Sequence, residues 1–171
     1  MHSSKSETLH MKSDEGRNIQ IGGFGTKLKV AGQLATSSVA VVEHTLAPGL
    51  LGLLGAPHHQ HRHEDDISYV LEGELTVQLG EEVVTVKPGE FVIKPRGQFH
   101  TFWNAGTQTV RFLEVISPAG FERYFEELSA LMPEDGPPDM SAVVELAARY
   151  GLEFDMSSLP NLMQRHGVRL G

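Results

Sequence analysis

Short stretches of alternating apolar and polar residues fill the middle of the chain. Leu75, Val77 and Leu79 alternate with Thr76 and Gln78, the period of two that a half-buried strand shows. Runs at 67–71, 74–79, 83–87, 91–94, 98–103 and 109–117 follow one another. Between them stand Gly80-Glu81, Lys87-Pro88-Gly89, Pro95-Arg96-Gly97 and Asn104-Ala105-Gly106, each a turn signal. Upstream, 27–31 and 38–46 read as strands, the second rich in valine (Val39, Val41, Val42) and closed by Ala47-Pro48-Gly49. Short strands punctuated in this way predict an antiparallel sandwich or barrel.

The pattern changes after residue 120. Apolar residues at 121, 124, 125, 128 and 131 form a helical stripe. Pro137-Pro138 breaks the chain. Ser141 is placed to cap a second helix over 142–150, closed by Gly151, and a third is expected over 159–166, followed by Gly167. Residues 1–20 are polar and read as a mobile tail. The apolar, glycine-rich stretch 50–56 reads either as a loop flanking a site or as a short buried crossing. The expected layout is a tail (1–20), a barrel (21–120) and a helical extension (121–171).

Composition narrows the function. A chain of 171 residues is one domain with room for a small appendage. With 40% hydrophobic and 21% charged residues it is not a disordered sequence. Fourteen basic against 22 acidic residues give a net charge of −8, which argues against a nucleic-acid partner. Cysteine is absent, so disulfides, thiolate metal sites and a cysteine nucleophile are excluded. No apolar run approaches the roughly 20 residues that span a bilayer, so no membrane partner is expected. The first 20 residues lack the apolar core of a secretory signal, and the expected location is the cytoplasm.

Histidine is unusual in its placement. Four of the nine, His58, His59, His61 and His63, fall within six residues, followed by Glu64-Asp65-Asp66. On a strand, alternate side chains share a face, so His59 and His61 point to one place. Two imidazoles so placed make half a site for a divalent transition metal (Fe, Mn, Ni, Cu, Co or Zn). His61 and His63 have the same spacing, but Glu64 and Asp66 then lie too close in sequence to reach the same wall. His58 is expected to face away from His59, and His63 to lie in a bend. His100 lies in the later run 98–103. His2, His10, His44 and His166 have no partner visible in the sequence.

These residues also carry a family resemblance. Gly89, Pro95, Gly97, His100 and Asn104 match the pattern G-x5-P-x-G-x2-H-x3-N, and His59, His61, Asp66 and Gly73 follow the companion pattern G-x5-H-x-H-x3–4-E-x6-G. Over residues 38–117 the sequence therefore resembles the cupin superfamily, and within it single-domain cupins of the quercetin-dioxygenase-like group. Two departures stand out. Six residues separate Gly52 from His59 and three separate Gly55 from it, where the pattern has five, so neither occupies the first glycine position with the right spacing. The acid is Asp66 where the family pattern has glutamate. The resemblance implies an all-β fold, a cupin jelly-roll β-barrel with a short C-terminal α-helical extension. It implies metal ligands at His59, His61, Asp66 and His100, with Asp66 as the candidate catalytic base, and unusual backbone angles at Gly73, Gly89 and Gly97. Strand parity adds Ser68, Val70 and Phe102 as pocket walls, and sets Trp103 against the C-terminal helices.

Fold does not dictate activity. The first expectation is a metal-dependent, dioxygenase-like oxidoreductase acting on a small organic chelating substrate. The alternatives are a non-catalytic small-molecule-binding cupin and a metal-dependent lyase or isomerase. Cupins commonly pair, so a homodimer is expected, with the strands of 27–46 at its interface.

Overall fold

A computed structural model describes residues 10–32, 38–52 and 57–169. The N-terminal strands are β1 (Arg17–Ile21), β2 (Phe24–Val30) and β3 (Ala40–Leu46). Then come β4 (His58–His61), β5 (Asp65–Glu72), β6 (Leu75–Leu79), β7 (Glu82–Val86), β8 (Phe91–Lys94), β9 (His100–Trp103) and β10 (Val110–Ser117). Helices α1 (Glu122–Ala130) and α2 (Met140–Arg149) follow, then strand β11 (Leu152–Asp155) and helix α3 (Leu159–His166).

The strands form two antiparallel sheets. One has six strands in the order β1-β2-β3-β10-β5-β8, the other five in the order β11-β4-β9-β6-β7. The expected barrel is not closed: among the described residues each sheet ends in two edge strands, and no ladder joins one sheet to the other. The arrangement is consistent with a jelly roll of two facing sheets, in which side-chain packing rather than continuous hydrogen bonding joins the layers.

Alternation fixes which residues face inward. In β10, Val110, Phe112, Glu114 and Ile116 are buried while their neighbours are half-buried. β5 does the same with Asp66, Ser68 and Val70. Phe24, Val42, Leu46, Val70, Val77, Phe112 and Ile116 belong to the core between the sheets. The turns carry the strain that the sequence led one to expect: Gly73, Gly89 and Gly97 have φ of 73°, 88° and 75°, in the region that glycine enters without steric cost. Asn104 ties its own turn together. Its Nδ2 donates to the carbonyls of Leu46 and Gln108, and its Oδ1 accepts from Gly106 N–H.

Three features depart from the sequence expectations. The polar segment 1–20 ends in structure, because Asn18, Ile19, Gln20 and Ile21 alternate and pair with β2; residues 1–9 lie outside the described residues. The second helix starts two residues early. Asp139, not Ser141, is its cap, and its Oδ1 accepts from the N–H groups of Ser141 and Ala142, satisfying donors the first turn leaves free. Finally, the C-terminal segment is not purely helical. β11 adds an edge strand beside β4, with Phe154 opposite His59 and Leu152 opposite His61. Of the stretch 50–56, Leu50, Leu51 and Gly52 are buried, and 53–56 lie outside the described residues. A second, smaller cluster packs Trp103 and Leu51 against Leu162 of α3 and Val168.

Candidate metal centre

β4 and β9 pair with His59 directly opposite His100. Alternation along β4 then places His61 on the same face as His59, and all three are buried. One donor nitrogen from each lies within 4.8 Å of the others. The rings of His59 and His100 are 4.4 Å apart, and those of His61 and His100 are 5.6 Å apart and nearly parallel.

The surroundings prepare two of these rings for an ion. His59 Nδ1 bonds the carbonyl of Pro57 at 2.9 Å, and His100 Nδ1 bonds that of Gln98 at 3.0 Å. A carbonyl only accepts, so each Nδ1 carries the proton and each Nε2 offers a lone pair, the arrangement that orients metal-binding histidines. Burial, reinforced by His61, lowers the His59 pKa to about 3. Burial, reinforced by His59 and Lys94, holds His100 well below its ordinary value. Both rings are therefore neutral at physiological pH, the form that ligates metals. His100 Nε2, His61 Nδ1 and Asp66 Oδ1 are buried without a hydrogen-bond partner, a costly state in the absence of a ligand. These residues fit a divalent transition-metal ion.

Asp66 sits at the edge of the cluster. Its Oδ2 is 3.3 Å from His61 Nε2, but the three converging donors are the histidines. Glu64 Oε2 lies 3.7 Å from His61 Nδ1, too far for a hydrogen bond. His58 faces away from His59, into a separate polar cleft lined also by Asp155, Arg165 and His166, and His63 is exposed in the bend after β4.

His59 and His61 open into a cavity of about 240 Å³. The sheets contribute Phe24, His44, Asp66, Lys94, Phe102 and Glu114 to its wall. The C-terminal segment closes it with Phe121, Tyr124, Phe125, Val143, Leu152 and Phe154. Of the three wall residues inferred from parity, Phe102 lines this space. Val70 and Ser68 are fully buried and do not line it, and the Ser68 hydroxyl donates to Glu114 at 3.0 Å.

Sequence reasoning missed three charged or titratable groups here. Lys94 Nζ and Glu114 Oε2 form a salt bridge of 2.8 Å, with side chains only 2% and 4% exposed. Burial raises the Glu114 pKa, and Lys94 opposes that rise. His44 is enclosed by Phe24, Phe112 and Phe125 and hydrogen-bonds Thr26 Oγ1 at 2.9 Å. Burial, with the nearby charge of Lys94, lowers its pKa to about 3. The signal was present in the alternation. Lys94 follows Val92 by two and Glu114 follows Phe112 by two, so both occupy inward positions.

Residues 42–116 match a family model described as Cupin domain. The matched span is a little under half of the chain. Solved structures resemble the chain over a wider span. A predicted oxalate decarboxylase from Thermotoga maritima is 21% identical, with a TM-score of 0.56 over 64% of this chain and 99% of that one. KdgF from Halomonas sp. is 21% identical, with a TM-score of 0.55 over 65% of this chain and 95% of that one. The polyketide cyclase RemF from Streptomyces resistomycificus is 24% identical, with a TM-score of 0.55 over 64% of this chain and 79% of that one. At these identities the likeness concerns the fold alone. No curated protein matches in sequence. The matched span contains β4, β9 and their histidines, while β11 and α1 to α3 lie outside it. Among the described residues no helix is long and apolar enough to cross a membrane.

Proposed function

We propose that this cupin is a metal-dependent enzyme acting on a small organic molecule enclosed between the sheets and the C-terminal segment. One observation carries this reading: three histidines converge, and two of them, His59 and His61, open with Asp66 into a largely apolar cavity. His59, His61 and His100 would hold a divalent ion. When bound, the ion supplies Lewis-acid polarisation and, for a redox-active metal, electron transfer toward dioxygen. Asp66 Oδ1, buried and unpartnered, is the group placed to take a proton from the substrate. Phe121, Phe125 and Phe154 exclude water, which strengthens every charge interaction inside the cavity. The resemblance to quercetin-dioxygenase-like cupins favours oxidative chemistry on a chelating substrate. The cavity volume favours one ring rather than a fused polycycle, since pockets for drug-sized ligands start at roughly 300 Å³.

The second reading, a metal-assisted lyase or isomerase, draws on the Lys94–Glu114 pair, which puts further acid–base groups beside the site without need of oxygen. An oxygen electrode separates the two. Protein loaded with Fe²⁺, Mn²⁺, Co²⁺, Ni²⁺ or Cu²⁺ is offered small 1,2-diols and 1,3-diketones, with product analysis in air and under argon. Oxygen uptake that disappears in His59→Ala supports the oxidoreductase. Equal conversion under argon transfers support to the lyase or isomerase. Binding without conversion in any arm leaves a ligand-binding cupin and overturns the enzymatic reading.

A further inference from the structure

The Lys94–Glu114 pair is expensive to bury and does not belong to the metal cluster. An ammonium has three N–H donors. Among the described residues Glu114 is the one acceptor within hydrogen-bond distance of Lys94 Nζ. Glu114 itself is held on its other side by Ser68. The ammonium lies 5.4 Å from the centroid of Phe102, a cation–π distance, and both residues line the cavity. Ladder register explains the convergence. Asp66 pairs with Lys94 on one side of β5, and Ser68 pairs with Glu114 on the other.

We infer that Lys94 is an anchor for an anionic oxygen, and that the substrate class is a single-ring aromatic monoanion such as an aryl carboxylate. This deepens the proposed function and rests on it for the role of the metal. Formal charge points the same way. Lys94 and Glu114 cancel, Asp66 contributes −1, metal-binding imidazoles are neutral, and a divalent ion contributes +2, so the loaded site carries +1 and a monoanion neutralises it. The ring has its seat among Phe24, Phe102, Phe121 and Phe125. Glu114, fixed by Ser68, is a positioning residue that holds the ammonium in place and keeps the ligand-free cavity neutral at that point.

The test measures binding, not turnover, by isothermal titration of benzoate and of its uncharged relative benzyl alcohol. It uses Zn²⁺-loaded protein and chelator-treated protein in parallel. Zn²⁺-loaded wild type should bind benzoate at least tenfold more tightly than benzyl alcohol. Lys94→Met should lose that preference while keeping benzyl alcohol. In chelator-treated protein, Glu114→Gln should bind benzoate about tenfold more tightly than wild type, because the ammonium is freed. The double variant Lys94→Met with Glu114→Leu removes both charges of the pair, which guards against failure of the single variants to fold; in the chelator-treated arm it should bind benzyl alcohol like wild type and show no preference for benzoate. A benzoate preference that survives in Zn²⁺-loaded Lys94→Met, or in the chelator-treated double variant, overturns the assignment. So does a Glu114→Gln protein that gains nothing. If Zn²⁺ itself gives no heat and no rise in Tm, the metal reading fails separately, and the chelator-treated arm still decides the role of Lys94.

Discussion

Replacing His44 by glutamine should remove about 2 kcal/mol of acid sensitivity from the fold. The ring sits among three phenylalanines, and Lys94 is the charge that acts on it. Its folded pKa is about 3, against 6.5 in the unfolded chain. Between those values the unfolded chain binds the extra proton, so stability is intact above pH 6.5 and is lost as pH falls toward 3. Linkage with these two values removes about 0.2 kcal/mol at pH 7 and about 2 kcal/mol at pH 5. The pH 5 figure depends almost entirely on the unfolded value, because the folded ring is still neutral there. Glutamine does not titrate and retains a hydrogen-bonding group for Thr26, so any constant cost of the substitution cancels in the comparison. The assay is urea unfolding of chelator-treated wild type and His44→Gln at pH 7 and pH 5. Wild type should lose about 2 kcal/mol more than the variant between the two. Equal losses, within about 0.5 kcal/mol, would refute the claim that His44 is buried neutral.

Three further outcomes are expected. At a hundredfold excess of metal over its Kd, wild type should gain about 2.7 kcal/mol; His59→Ala, His61→Ala and His100→Ala should each lose most of the resulting rise in Tm, while His58→Ala and His63→Ala keep it, and a response lost in His63→Ala but kept in His59→Ala would shift the ligand set by two residues. Lys94→Met should cost about 3–5 kcal/mol by stranding a buried carboxylate, and adding Glu114→Leu should recover much of that loss; additive costs in denaturant melts would show that the two charges are not coupled. The chain should sediment as a homodimer at micromolar concentration with residues 27–46 at the interface, and a monomeric mass would contradict this.

The histidine triad was legible because it needs only two rules. Alternation pairs His59 with His61, and the spacing of glycines and proline around His100 brings a second strand to meet them. Lys94 and Glu114 were harder to see. Each looks like an ordinary surface charge within its own strand, and they meet only because β5 lies between β8 and β10, an order that local sequence does not encode. His44 was passed over because a lone histidine among valines carries no sign of its enclosing phenylalanines, two of which come from beyond residue 100. The helices of the C-terminal segment followed from their stripes and glycine stops. β11 did not, since a four-residue strand shows its identity only through the partner it finds.

That partner gives the cavity an order of assembly. β4 emerges from the ribosome about 90 residues before β11, so at roughly 5–20 residues per second it waits on the order of 5–20 s for its outer neighbour. Once β9 has joined it, β4 is an open sheet edge until β11 arrives, the kind of surface on which chains aggregate. Its partner comes from outside the span that matches the family model. A fragment cut to residues 42–116 would therefore keep the three histidines but expose β4, and would lack the wall formed by Leu152 and Phe154. Nascent-chain length, rather than fold family, decides when this protein has an interior in which a small molecule can be held.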